Sequence, residues 1–154
     1  MAATTAEHVG NLPRGVGICT TAPDILYVPE LIFGGLVWIL VASTLVFPAN
    51  PQGWVMFVSV FCFVMTFVWM VIFACGGHKN SGGWATADFL YHALATILYL
   101  SASVSLAKTT IDFQIAALRS KTYKIDIAAV VFSYVATLLY FTHLILSAIR
   151  WKAF

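Results

Sequence analysis

Charge is what this chain has least of. Six Asp and Glu and eight Lys and Arg make up 9% of its 154 residues, against 61% that are hydrophobic. So few polar side chains cannot cover a water-exposed surface, which excludes a soluble fold. The cations are scattered and the formal net charge is only +2, which excludes the clustered basic footprint of a nucleic-acid binder. Cysteine is scarce as well. Cys19, Cys62 and Cys75 form no CxxC pair and His78 is distant in sequence from a second thiol, so no metal framework is expected. No serine sits in a nucleophile elbow and no phosphate-cradling glycine loop precedes a helix, so no enzyme is expected either. The segment Met1 to Thr21 carries Glu7, His8 and Arg14 and lacks an apolar stretch ending in a cleavage site. No cleaved signal peptide is expected, and Ala2 stands where myristoylation needs glycine. Residues 1–23 therefore read as a short disordered tail.

What the chain does have is long apolar runs, with a mean hydropathy of +0.92. Crossing a hydrocarbon core of roughly 30 Å takes about 20 apolar residues in a helix. Four segments qualify, from about Ile25 to Phe47, Trp54 to Cys75, Thr86 to Ala107 and Ile127 to Ile149. Pro23 and Pro29 suit the entry to the first, and Pro48 with Pro51 ends it. Gly76 and Gly77 stop the second. Arg150, Trp151 and Lys152 close the fourth as an interface anchor. These runs lack the period-2 alternation of barrel strands. The expected fold is an all-α membrane protein, one four-helix transmembrane bundle over residues 24–150 with short loops and a four-residue tail, 151–154. Both termini then lie on one side of the membrane. The positive-inside rule is tied between Arg14, Lys79, Arg150 and Lys152 on that side and Lys108, Arg119, Lys121 and Lys124 on the other. The cations abutting the last span favour cytosolic termini.

Ionisable groups inside a membrane cost a few kcal/mol each on insertion scales, so each raises a functional question. The candidates are Glu30, Asp88, His92 and His143. Asp88 and His92 are spaced i,i+4 on one face of the third helix, and Tyr99 and Ser103 continue that stripe with Thr96 at its border. The fourth helix carries a matching seam of Ala129, Ser133, Ala136, Tyr140, His143 and Ser147. Two such seams most simply face each other, with small residues permitting close approach and hydroxyls and imidazoles bonding across the gap. Glu30 and Asp88 stand near the interface, where they can snorkel or cap. The alternative is a proton or ion path with Glu30, Asp88 and His143 as relay groups, or a small channel or transporter that uses Asp88, His92 and His143. Asp88 and His92 alone are two metal ligands without a third nearby, so no metal or cofactor is expected. Gly34 and Gly35 suit close helix packing. Cys62 reads as a buried small hydrophobe, while Cys19 and Cys75, near the bilayer edges, are candidates for acylation.

Specific stretches go beyond generic hydrophobicity: ELIFGGLVWILVAS at Glu30 to Ser43, QGWVMFVSV at Gln52 to Val60, DFLYH at Asp88 to His92, YLSASV at Tyr99 to Val104, IAAVVFSYVATLLY at Ile127 to Tyr140 and IRWK at Ile149 to Lys152. In these the chain resembles the MARVEL-domain tetraspan proteolipids across all four spans and both flanks. The resemblance implies cytosolic termini, residence in cholesterol- and glycosphingolipid-rich membrane of the plasma membrane and of Golgi and endosomal vesicles, and roles in myelin and in vesicle delivery to the apical surface. An organiser of such membrane is also expected to pack with other copies of itself. Spans slightly longer than the minimum suit a thicker, sterol-rich bilayer. The leading expectation is a non-enzymatic membrane organiser, with outer faces rich in Phe57, Phe61, Phe67 and Trp69 against lipid or neighbouring protomers. A third possibility is an adaptor for membrane-protein cargo, with Lys121, Tyr123 and Lys124 in the loop Lys108 to Asp126 as the contact.

Overall fold

The computed structural model describes residues 15–20, 24–44, 49–79, 81–114 and 121–153. Two short 3-10 helices, Gly15–Cys19 and Asp24–Leu26, lead into four α-helices: α1 (Tyr27–Ser43), α2 (Ala49–Ala74), α3 (Gly82–Gln114) and α4 (Lys121–Lys152). All four are long and apolar enough to cross a membrane once the 3-10 turn at Asp24 is joined to α1. There is no strand among the described residues.

The helices begin and end for local reasons. Pro29 falls in the first turn of α1 and Pro51 in the first turn of α2, where a missing N–H removes no helical hydrogen bond. Pro51 thus lies inside the second helix, not between the first two as expected. Thr44 stops α1, its N–H and its hydroxyl both donating to the Val41 carbonyl. Residues 45–48, where the expected first span ended, lie outside the described residues. α2 ends at the two glycines. Gly76 takes φ +70°, and the N–H groups of Gly76 and Gly77 donate back to Phe73 and Ile72, the Schellman pattern that a left-handed glycine permits. Ser81 then caps α3, its Oγ accepting the Gly83 N–H at 3.3 Å.

α3 and α4 run beyond the apolar windows. At 1.5 Å per residue each is about 50 Å long, well over the roughly 30 Å of hydrocarbon. Hydropathy stops at the first charge, whereas a helix does not. The expected loop from Lys108 to Asp126 is therefore mostly helix. Lys121, Tyr123 and Lys124 sit in the first turn of α4, and Arg119 lies outside the described residues. The expected disordered tail also changes. Residues 1–14 and 21–23 are not described, but Gly15–Cys19 is a 3-10 turn with Ile18 buried, packed against α2.

The four helices alternate in direction, and α3 packs most extensively on α4. Ala95, Ala102, Ala129 and Ala136 are buried at that seam, where small side chains let the backbones approach. On α1, a Cβ added to Gly34 would meet the Tyr99 hydroxyl at 3.1 Å, and one on Gly35 would meet Phe63 at 3.3 Å. Trp69, expected on the lipid face, is instead buried edge-on to Trp84 and Phe73.

Candidate functional site

One end of the bundle gathers the start of α1, the end of α2, the start of α3 and the end of α4, and there the ionisable residues meet. Asp24 and Tyr27 come from the entry to α1, with Glu30 one turn further on. Asp88 and His92 come from α3, and His143, Ser147 and Arg150 from successive turns of α4. All eight side chains are buried. Arg150 is the hinge of the cluster. Its Nη1 donates to Asp24 Oδ2 at 2.7 Å and its Nη2 to Asp88 Oδ2 at 2.9 Å, while the guanidinium lies 5.5 Å from the centre of the Phe73 ring. Asp88 is also bonded by Ser147 Oγ at 2.6 Å and by the Tyr27 hydroxyl at 2.7 Å. Such charge-assisted bonds compensate the several kcal/mol that each buried ion loses in desolvation.

A second layer lies immediately deeper. His143 Nδ1 is 2.8 Å from Glu30 Oε1, and His92 Nδ1 is 2.8 Å from the Asp88 carbonyl oxygen. The two imidazoles stack with centroids 3.6 Å apart. His92 Nε2 stands 3.7 Å from Glu30 Oε2, beyond hydrogen-bond reach, and neither atom has another partner among the described residues.

Below this the polar contacts are neutral. The Thr66 hydroxyl joins those of Tyr91 and Tyr140 at 2.8 and 2.7 Å, and Tyr91 donates to the Cys62 carbonyl. Tyr99 stacks on Tyr140. Ser103 and Thr137 hydroxyls lie 3.1 Å apart across α3 and α4, while the Ser133 hydroxyl donates to the Val130 carbonyl within its own helix. At the far end, the Thr44 hydroxyl shares its one proton between the Val41 carbonyl and Gln52 Oε1, and Gln52 Nε2 donates to Asp126 Oδ1, tying α1, α2 and α4 together.

Several expectations change here. Glu30 and Asp88 neither snorkel nor cap; both are fully enclosed. Arg150 is no interface anchor, since it turns inward and leaves Trp151 and Lys152 at the surface. Its charge is spent within the protein, so it lends nothing to the orientation argument. No third ligand completes the expected Asp88 and His92 pair; the three groups that come together are Glu30, His92 and His143, with Asp88 outside the set. Asp24, Tyr27 and Arg150 were not among the sequence candidates. Arg150 follows His143 and Ser147 at i+7 and i+3, so the α4 seam itself pointed to it. Cys19 and Cys75 are exposed and Cys62 buried. Lys121 and Lys124 are exposed, far from the cluster.

Four spanning helices with a charged cluster sealed inside one end define a multi-pass integral membrane protein. The MARVEL family, described as a membrane-associating domain, matches residues 18–146, and the chain belongs to that family. It is 51% identical over 153 residues to Myelin and lymphocyte protein of Canis lupus familiaris and to that of Homo sapiens, covering 99% of both chains in each case. A more distant relative is CKLF-like MARVEL transmembrane domain-containing protein 8 of Homo sapiens, 31% identical over 135 residues, which cover 86% of this chain and 76% of the relative. No solved structure matches the chain.

Proposed function

We propose that this protein is a non-enzymatic membrane organiser, which gathers cholesterol- and glycosphingolipid-rich bilayer around an inert helical bundle, in myelin and in vesicles bound for the apical plasma membrane. The observation that carries this reading is the sorting of side chains. Its buried ionisable groups bond to one another inside the bundle, whereas large apolar side chains point out along every helix: Ile39, Phe57, Ile97 and Leu138 are 51, 56, 67 and 65% exposed. A surface of that kind acts through lipid or neighbouring transmembrane helices. On α2, Met56, Phe57, Val60, Phe61, Val64 and Met65 line an outward groove of about 480 Å³, apolar throughout and suited to an acyl chain or a sterol face. The likeness to proteins named for myelin and lymphocytes supports the same setting, the family resemblance supports cytosolic termini, and the outward apolar faces suit self-association.

The test is photo-crosslinking of the protein in membranes with a clickable sterol and a clickable sphingolipid, followed by mapping of the labelled residues. Enrichment on the α2 groove over other outward positions is expected. Uniform labelling that tracks exposure alone would reduce the protein to one solvated by lipid without selecting it. A transport reading has one observation of its own, the convergence of Glu30, Asp88, His92 and His143. It requires pH-dependent flux in sealed vesicles that Asp88→Asn abolishes.

A further inference from the structure

The second layer of the charged cluster turns acceptor atoms toward each other. The Nδ1 of His92 donates to the Asp88 carbonyl oxygen, which leaves the lone pair of the neutral imidazole on Nε2. That nitrogen faces Glu30 Oε2 at 3.7 Å, and the Glu30 carboxylate brings lone pairs of its own. His143 Nε2 is a third buried atom with no hydrogen-bond partner among the described residues. Two lone pairs in a dry interior repel unless a cation stands between them.

The identity of that cation follows from charge and ligand type. Asp24, Glu30 and Asp88 carry three negative charges in the cluster against one positive charge on Arg150. With both imidazoles neutral, as ligands must be, the enclosed end is short of two positive charges. Two protons would supply them either on buried carboxyls, which would then donate rather than ligate, or as two imidazolium rings face to face at 3.6 Å. A divalent ion supplies them at a single point. Glu30, His92 and His143 each offer one ligand atom, all within 4.8 Å of one another. Two imidazoles and one carboxylate are a zinc-type donor set that leaves a fourth position open. Tetrahedral bonds of about 2.0–2.1 Å place ligand atoms roughly 3.3 Å apart, so the three side chains need only draw in. The outer contacts suit the task, because the His92 ring is already oriented through Nδ1 and the Asp88 carboxylate is fixed by Tyr27, Ser147 and Arg150.

We infer that Glu30, His92 and His143 form a binding site for a divalent transition-metal ion, zinc by ligand type, which clips α1 to the α3–α4 pair inside the membrane. Co2+ is the probe. The tag-free full-length protein in detergent, with Cys19→Ser and Cys75→Ser to remove the exposed thiols, is expected to take up one Co2+ per chain. Visible bands of tetrahedral cobalt should appear and be displaced by Zn2+. Glu30→Gln and His143→Gln should weaken binding at least about tenfold. No bands and no retained metal in folded protein would overturn the proposal and leave the cluster held by protons. Binding unchanged in both variants would overturn it too, by placing the ion elsewhere. If the variants do not fold, X-ray absorption at the zinc edge of the loaded parent decides. Nitrogen and oxygen ligands with imidazole scattering support the site, and a sulfur-dominated shell overturns it.

Discussion

The two ends of this bundle are held by different chemistry. At the end that gathers the start of α1 and the end of α4, Arg150 joins Asp24 to Asp88 and a Glu30, His92 and His143 layer lies beneath it, with every one of these side chains sealed. At the other end Thr44, Gln52 and Asp126 form a chain of two hydrogen bonds with one ionisable member. A buried ion pair adds little net stability when formed but is expensive to break, because removal of one partner strands the other charge. A hydrogen bond between transmembrane helices averages about 0.6 kcal/mol. The ionic end should therefore behave as a joint that is all present or lost at once, and the far end as one that tolerates substitution and local opening.

The largest expected effect comes from Arg150→Met, which leaves Asp24 and Asp88 facing each other uncompensated. About 3–5 kcal/mol should be lost from reversible unfolding in detergent. Gly34→Ala tests the middle of the bundle, where the added methyl meets the Tyr99 hydroxyl at 3.1 Å. It should cost about 1–3 kcal/mol, and adding Tyr99→Phe should restore part of that loss, since the two positions share one contact. At the far end, Gln52→Leu removes two such bonds and should cost about 1.2 kcal/mol in the same assay. A loss as large as that of Arg150→Met would dissolve the contrast. Leu138→Ala, on an outward face 65% exposed, should stay within about 0.5 kcal/mol while changing how the protein partitions between ordered and disordered lipid.

How much of this was legible in the sequence depended on the range of the signal. The four spans were visible because twenty apolar residues in a row have few other uses, and the stop at Gly76 because a left-handed glycine is a local device. The polar stripe of α3 and that of α4 followed from helical spacing. The contacts between elements did not. Glu30 and His143 are 113 residues apart, and no periodicity says that they touch. Arg150 was misread because a cation beside Trp151 at a helix end looks like an anchor, whereas Asp24, held by the 3-10 turn before α1, and Asp88 together turn it inward. Helix ends in α3 and α4 were set short because hydropathy reports the bilayer and not the hydrogen-bonded length.

The central claim is that the ionic end is locked by mutual dependence and the far end is not, and a pair of double-mutant cycles measures this directly. Asp24→Leu with Arg150→Met isolates the coupling across the 2.7 Å pair. Gln52→Leu with Asp126→Leu isolates the coupling across the 3.3 Å bond at the other end. The account predicts about 2–3 kcal/mol for the first and under about 1 kcal/mol for the second. Equal couplings, or a larger one at Gln52 and Asp126, would contradict it.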